Sequence, residues 1–157
     1  MIPITVALTA EHKTFLRIFD QAERKLPQVQ TAIEVRKLGR KVEDMLRRHT
    51  KAEEDLLLMA QSAAAEFRNR YARCLRHHHE IAAQFVQLHT AHQATRAKTL
   101  LKEALKHSRK HLTYEERFVF PLIEQVLNSK TLTKLGSMWF LSHPSFQGVT
   151  SARYLAA

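Results

Sequence analysis

Apolar residues in this chain return every three or four positions along four stretches, and each stretch starts or stops on a residue that caps or breaks a helix. In the first, Leu8, Phe15, Leu16 and Phe19 share a face; Thr9 supplies an N-cap and Pro27 a stop, which predicts a helix over 9–25. Thr31 followed three residues later by Glu34 is a capping box, and Val35, Leu38, Val42, Met45 and Leu46 then carry a long amphipathic helix. A small, polar segment over 61–66 predicts a turn, and a third helix follows over 67–93. Thr95 caps the fourth, whose apolar stripe continues from Leu101 to Val126 across Pro121; the proline predicts a kink or a loosened turn. A short helix over 131–141, with Leu132, Leu135, Met138 and Trp139 available for packing, precedes an irregular tail over 142–157.

These elements predict an all-α protein, an up-down-up-down four-helix bundle with a short extra C-terminal helix and an irregular tail. The bundle occupies 1–130, and 131–157 packs on it or extends from it. The length of 157 residues suits one well-buried domain. Only three glycines and four prolines interrupt a chain rich in helix formers.

Polar residues break the apolar stripes at matching places. His49-Thr50-Lys51-Ala52-Glu53-Glu54 and His111-Leu112-Thr113-Tyr114-Glu115-Glu116 both read His-x-x-x-Glu-Glu. A spacing of four puts the histidine and the first glutamate on one helix face, one turn apart. Glu54, one position on, leaves that face for solvent or an outer contact. His12 lies on the buried stripe of the first helix. The third helix offers His77, His78 and His79, and alignment chooses among them: His12-x-x-Phe15-x-x-x-Phe19 matches His78-x-x-Ile81-x-x-x-Phe85, so His78 is the inward one. His77 and His79 fall on the flanks, and His89 and His92 on the surface or a helix end.

The halves thus repeat, with His12 and His49/Glu53 answering to His78 and His111/Glu115. Two carboxylates facing a shared core require a compensating positive charge, and a pair of metal ions meets that requirement. Glu53 and Glu115 could each bridge two ions while two imidazoles terminate each ion; a bridging oxide or hydroxide would leave an open position on each. Imidazole with carboxylate suits iron, and manganese or zinc fit the same ligand types. The Glu-x-x-His motif of ferritin-like sites occurs nowhere in the chain.

On these motifs, together with Glu11-His12, the run His78-His79-Glu80-Ile81 and Phe120-Pro121, the chain resembles the hemerythrin-like, or HHE cation-binding, family over about residues 8–127. The resemblance implies a four-helix bundle with a non-haem di-iron centre: two iron ions, with His12, His49, His78 and His111 as terminal ligands and Glu53 and Glu115 as bridging carboxylates. Oxygen-carrying hemerythrins have five histidines, with a His-x-x-x-His pair on the third helix and an aspartate five residues after the last histidine. Here Cys74 and Ala82 flank His78 at that spacing, and Glu116 stands five after His111. The resemblance therefore implies sensing of, or reaction with, oxygen, nitric oxide or peroxide, or iron handling, rather than oxygen carriage. An oxidase or peroxidase activity is its enzymatic variant. Whether Cys74, Tyr114, Glu54 or Glu116 joins the metal shell stays open, as does the choice between monomer and homodimer.

Charge adds an alternative. With 25 Lys and Arg against 15 Asp and Glu the formal net charge is +10, a field that suits nucleic acid or an acidic protein. The alternative is a basic helical binding module with a structural metal site. The basic residues are spread along the helices without aromatic interleaving or a nucleic-acid motif, as on a solvated helix surface. The single cysteine, Cys74, suits a reducing compartment, the amino terminus lacks a signal-peptide pattern, and no apolar run approaches the roughly 20 residues of a membrane span. A cytoplasmic protein without membrane attachment is expected.

Overall fold

The computed structural model describes residues 2–58 and 65–143. Among them all regular structure is helical: α1 (Ile4–Lys25), a 3-10 turn (Leu26–Gln28), α2 (Ala32–Leu57), α3 (Ala65–Thr90), α4 (Ala94–Tyr114), a π-helical turn (Glu115–Val119), α5 (Phe120–Val126) and α6 (Ser129–Ser142). None of these helices is long and apolar enough to cross a membrane.

Helix α1 starts five residues before the expected Thr9, directly after Pro3. The reason is tertiary: Ile4, Ala7 and Leu8 are buried against Leu132, Leu135 and Trp139 of α6, so the first turn has a surface to cover. Met138 of α6, expected to pack, is exposed instead. At the other end Pro27 stops α1 as expected, within the 3-10 turn. The capping box at α2 forms in full: the Glu34 amide donates to Thr31 Oγ1 at 3.2 Å and the Thr31 amide to Glu34 Oε2 at 3.0 Å. Thr31's hydrogen bonds hold the Glu34 carboxyl below its ordinary range. Helix α4 begins at Ala94 after Gln93, so Thr95 lies inside its first turn rather than at its cap. Ala65 and Glu66 already belong to α3, while 61–64 of the expected turn and 144–157 of the expected tail lie outside the described residues. Ser142 closes α6, and His143 caps it.

Between Tyr114 and Phe120 the helix loosens as Pro121 foretold. The Phe120 amide donates to Glu115 O, five residues back, so the extra residue is absorbed before the proline at the start of α5. Val119 and Phe120 turn inward, and Phe118 swings out beneath the guanidinium groups of Arg70 and Arg117.

The helices pack through two apolar clusters. One gathers Phe15, Phe19, Val35, Val42, Phe85, Leu88, Leu101 and Leu105 from α1 to α4. The other gathers Ile4, Leu8, Phe67, Tyr71, Cys74, Phe120, Ile123 and Trp139. Each buried Phe or Leu contributes about 1.5–3 kcal/mol. Along α1 the order is Leu8, His12, Phe15, and along α3 it is Cys74, His78, Ile81, so the inward histidines lie in a polar layer between the two clusters. Arg109 of α4 ties α1 from outside, donating to Asp20 Oδ1 and Glu23 Oε2 at 2.8 Å each.

Candidate metal centre

All six residues singled out by the repeat are buried in that layer, with His12 and Glu115 fully inaccessible and His78 the most exposed at 7%. They form two groups whose ligand atoms lie within 4.8 Å of one another: Glu53, His78, His111 and Glu115 in one, His12, His49 and Glu115 in the other. Glu115 belongs to both. Its Oε2 lies 3.4 Å from His12 Nε2 and its Oε1 2.9 Å from His111 Nε2. Glu53 Oε2 likewise stands 3.8 Å from His49 Nε2 and 3.7 Å from His78 Nε2. Glu115 Oε1 is also 3.7 Å from His78 Nε2, so each carboxylate reaches toward histidines of both halves.

The other ring nitrogens explain the orientation. His49 Nδ1 is 2.7 Å from Glu11 Oε2, His78 Nδ1 is 2.8 Å from Glu54 Oε1, and His12 Nδ1 is 3.0 Å from Glu116 Oε1. An Nδ1–H donated to a carboxylate leaves the neutral ring's lone pair on Nε2, pointed into the site. Packing fixes the rings: Phe120 stacks on His12 at 5.4 Å, and the edge of Phe15 meets His49 at 5.0 Å.

The fourth histidine differs. Nδ1 of His111 has no hydrogen-bond partner among the described residues, and the ring of His77 stands perpendicular to it at 5.6 Å. His77 precedes His78 as Glu11 precedes His12, so an imidazole occupies the place where the repeat would put a fourth outer carboxylate. Burial, and then the neighbouring His111, pushes the His77 pKa down and keeps the ring neutral. Tyr114 packs on His77 at 5.2 Å under the Arg73 guanidinium and belongs to neither ligand group; the same holds for Cys74. Burial, followed by Glu115 and Glu53, raises the Cys74 pKa and keeps the thiol protonated. His79, His92 and His107 are exposed, and His89 pairs with Glu43 near the surface. The outer roles of Glu11, Glu54 and Glu116 are visible in the sequence only as carboxylates adjacent to site residues.

The chemistry of the donor set suits metal binding. Among the described residues Glu53 has no hydrogen-bond partner for either oxygen, and Glu115 has only the 2.9 Å approach of His111 Nε2 to its Oε1. His78 and His111 bring their Nε2 atoms to 2.8 Å, and His12 and His49 theirs to 3.3 Å. Lone pairs converging at these distances beside buried carboxylates repel unless a proton or a metal lies among them. On the protein groups alone the two carboxylates divide unequally. Burial and the nearby Glu115 push Glu53 well up, whereas His111, His78 and His12 outweigh the burial of Glu115 and hold it well down. Burial opposes the charging of His12 and lowers its pKa; for His78 burial is overcome by Glu115 and Glu54, which raise it.

Comparison with protein families, with curated proteins and with solved structures finds no match to this chain.

Proposed function

We propose that this chain is a hemerythrin-like protein, an up-down-up-down four-helix bundle that holds two iron ions and senses or reacts with oxygen, nitric oxide or peroxide. The observation that carries the reading is the convergence of four imidazole Nε2 atoms on two buried carboxylates, whose oxygens meet no polar group of the described residues other than these rings at hydrogen-bond distance. The order of the two apolar clusters along the chain supports alternating helix directions: α1 and α3 leave the Trp139 cluster, and α4 returns to it.

In this reading His12 and His49 would hold one ion and His78 and His111 the other, with Glu53 and Glu115 supplying the carboxylates. Bound iron would supply a redox-active pair with coordination positions left for a small ligand. The protein's part is electrostatic and geometric. Glu11, Glu54 and Glu116 keep three imidazoles in the tautomer that presents Nε2, and apolar clusters flank the layer above and below. Manganese or zinc would satisfy the same donors. Arg36 and Arg109, two of the basic residues behind the alternative of an acidic partner, are engaged within the chain, Arg36 donating to Ala91 O at 2.6 Å.

The test is the metal content of protein produced with iron, followed by absorption spectra without oxygen and after its addition. Two irons per chain and new near-ultraviolet bands on oxidation are expected. A helical protein that binds no metal under these conditions would remove the reading, and salt-dependent binding to nucleic acid would then favour the basic module.

A further inference from the structure

A cavity of about 130 Å³ reaches the polar layer from the side where α2 faces α3. His49, His78 and His111 line it on the side of the layer, Leu46, Ile81 and Phe85 supply apolar wall, and Glu43 and Arg47 of α2 also border it. His12 and both bridging carboxylates are absent from the lining; His12 is covered by the stacked ring of Phe120. The cavity thus meets both imidazoles of the His78/His111 half and only one of the other half. Ala82, one turn after His78 on the same side of α3, also lines it, and a methyl group there leaves the space open. Thr50 lines it from α2.

The volume has room for about four water-sized groups, enough for a diatomic or triatomic molecule. Its largely apolar wall favours ligands that shed water easily. We infer that this cavity is the binding site of a small exogenous ligand, admitted between α2 and α3 and presented to the metal position held by His78 and His111 rather than to the one held by His12 and His49. The inference rests on the metal reading above. It adds a side of approach and two gate residues, Ala82 and Thr50.

Azide, a linear triatomic anion, is the probe. It is titrated into iron-loaded wild type, Ala82→Phe and Thr50→Leu, following absorbance, with iron content and helical circular dichroism measured on the same samples. Lys13→Phe, in the separate groove beside Glu116 and Phe120, controls for an added aromatic ring. Ala82→Phe is expected to keep both irons and weaken azide binding about tenfold or more, which corresponds to about 1.4 kcal/mol. Thr50→Leu, acting from the opposite wall, shifts it in the same direction, and Lys13→Phe leaves it unchanged. If Ala82→Phe loses its iron, Thr50→Leu decides alone. Full iron with azide affinity unaltered in the cavity variants overturns the inference and leaves the metal reading standing. Wild type without iron overturns both.

Discussion

Glu11 Oε2 on α1 lies 2.7 Å from Nδ1 of His49 on α2, and both side chains are buried. The pair fixes a tautomer across a helix interface, and its value appears when a metal needs the far nitrogen. Glu11→Gln retains the shape but loses the charge that strengthens the bond. Metal affinity is expected to fall about 10- to 100-fold, read by competition with a chelator of known strength. Unchanged affinity would reduce Glu11 to a packing residue.

Glu53 gives a prediction whose sign depends on the metal. Its pKa in the fold is raised by burial and by Glu115, so ionising it as pH rises through that value removes stability. In chelator-treated protein Glu53→Gln should therefore be more stable at neutral pH, by on the order of 1–3 kcal/mol in denaturant unfolding. Its stability should also fall less as pH rises. Glu115, held low, works the opposite way: its contribution is present at neutral pH and lost as pH falls through its depressed value, so Glu115→Gln destabilises. With metal present both variants lose stability. A Glu53→Gln protein less stable than wild type in both states would contradict the assignment.

His77 stands where the repeat would place a carboxylate opposite His111. His77→Glu should supply the missing acceptor for Nδ1 of His111 and tighten metal binding at the group that contains His111. The expected gain is about tenfold or more in chelator competition. If His77→Ala and His77→Glu behave alike, the outer partner at this corner has no influence.

Glu11, Glu54 and Glu116 also mark how far the sequence could be read. The six inward residues were legible because the apolar period points to them and the halves repeat, so each half checks the other. The outer pairs were not, because every one crosses between elements: Glu11 on α1 to His49 on α2, Glu54 on α2 to His78 on α3, Glu116 after α4 back to His12 on α1. Periodicity describes one helix at a time and carries no information about its neighbour. The early start of α1 was hidden for the same reason, since Ile4 and Ala7 gain a partner only when α6 folds against them. Pro121 did announce the loosened turn, a local steric effect that a single residue can signal.

The packing of α6 on α1 depends on Gly136. A Cβ there would fall inside contact distance of the backbone carbonyl oxygen of Ile2, which cannot move without shifting the start of α1. Gly136→Ala should cost about 1–3 kcal/mol in unfolding experiments. Fluorescence of Trp139, buried three residues on, should report the displacement. Wild-type stability in this variant would mean that the N-terminal segment yields freely.

The loosened turn at Glu115–Val119 makes the last long rod of the chain one residue longer than its spiral requires. Upstream of that surplus residue lie His111 and Glu115; downstream lie Phe120, stacked on His12, and Ile123 in the apolar cluster. Removing a single residue from the turn would restore a uniform spiral and rotate everything beyond it by about 100°. The lid over His12 would then face away, while the His-x-x-x-Glu pair stayed in place. The surplus residue is thus a phase adjuster: it lets one rod serve two neighbours whose spacings do not agree.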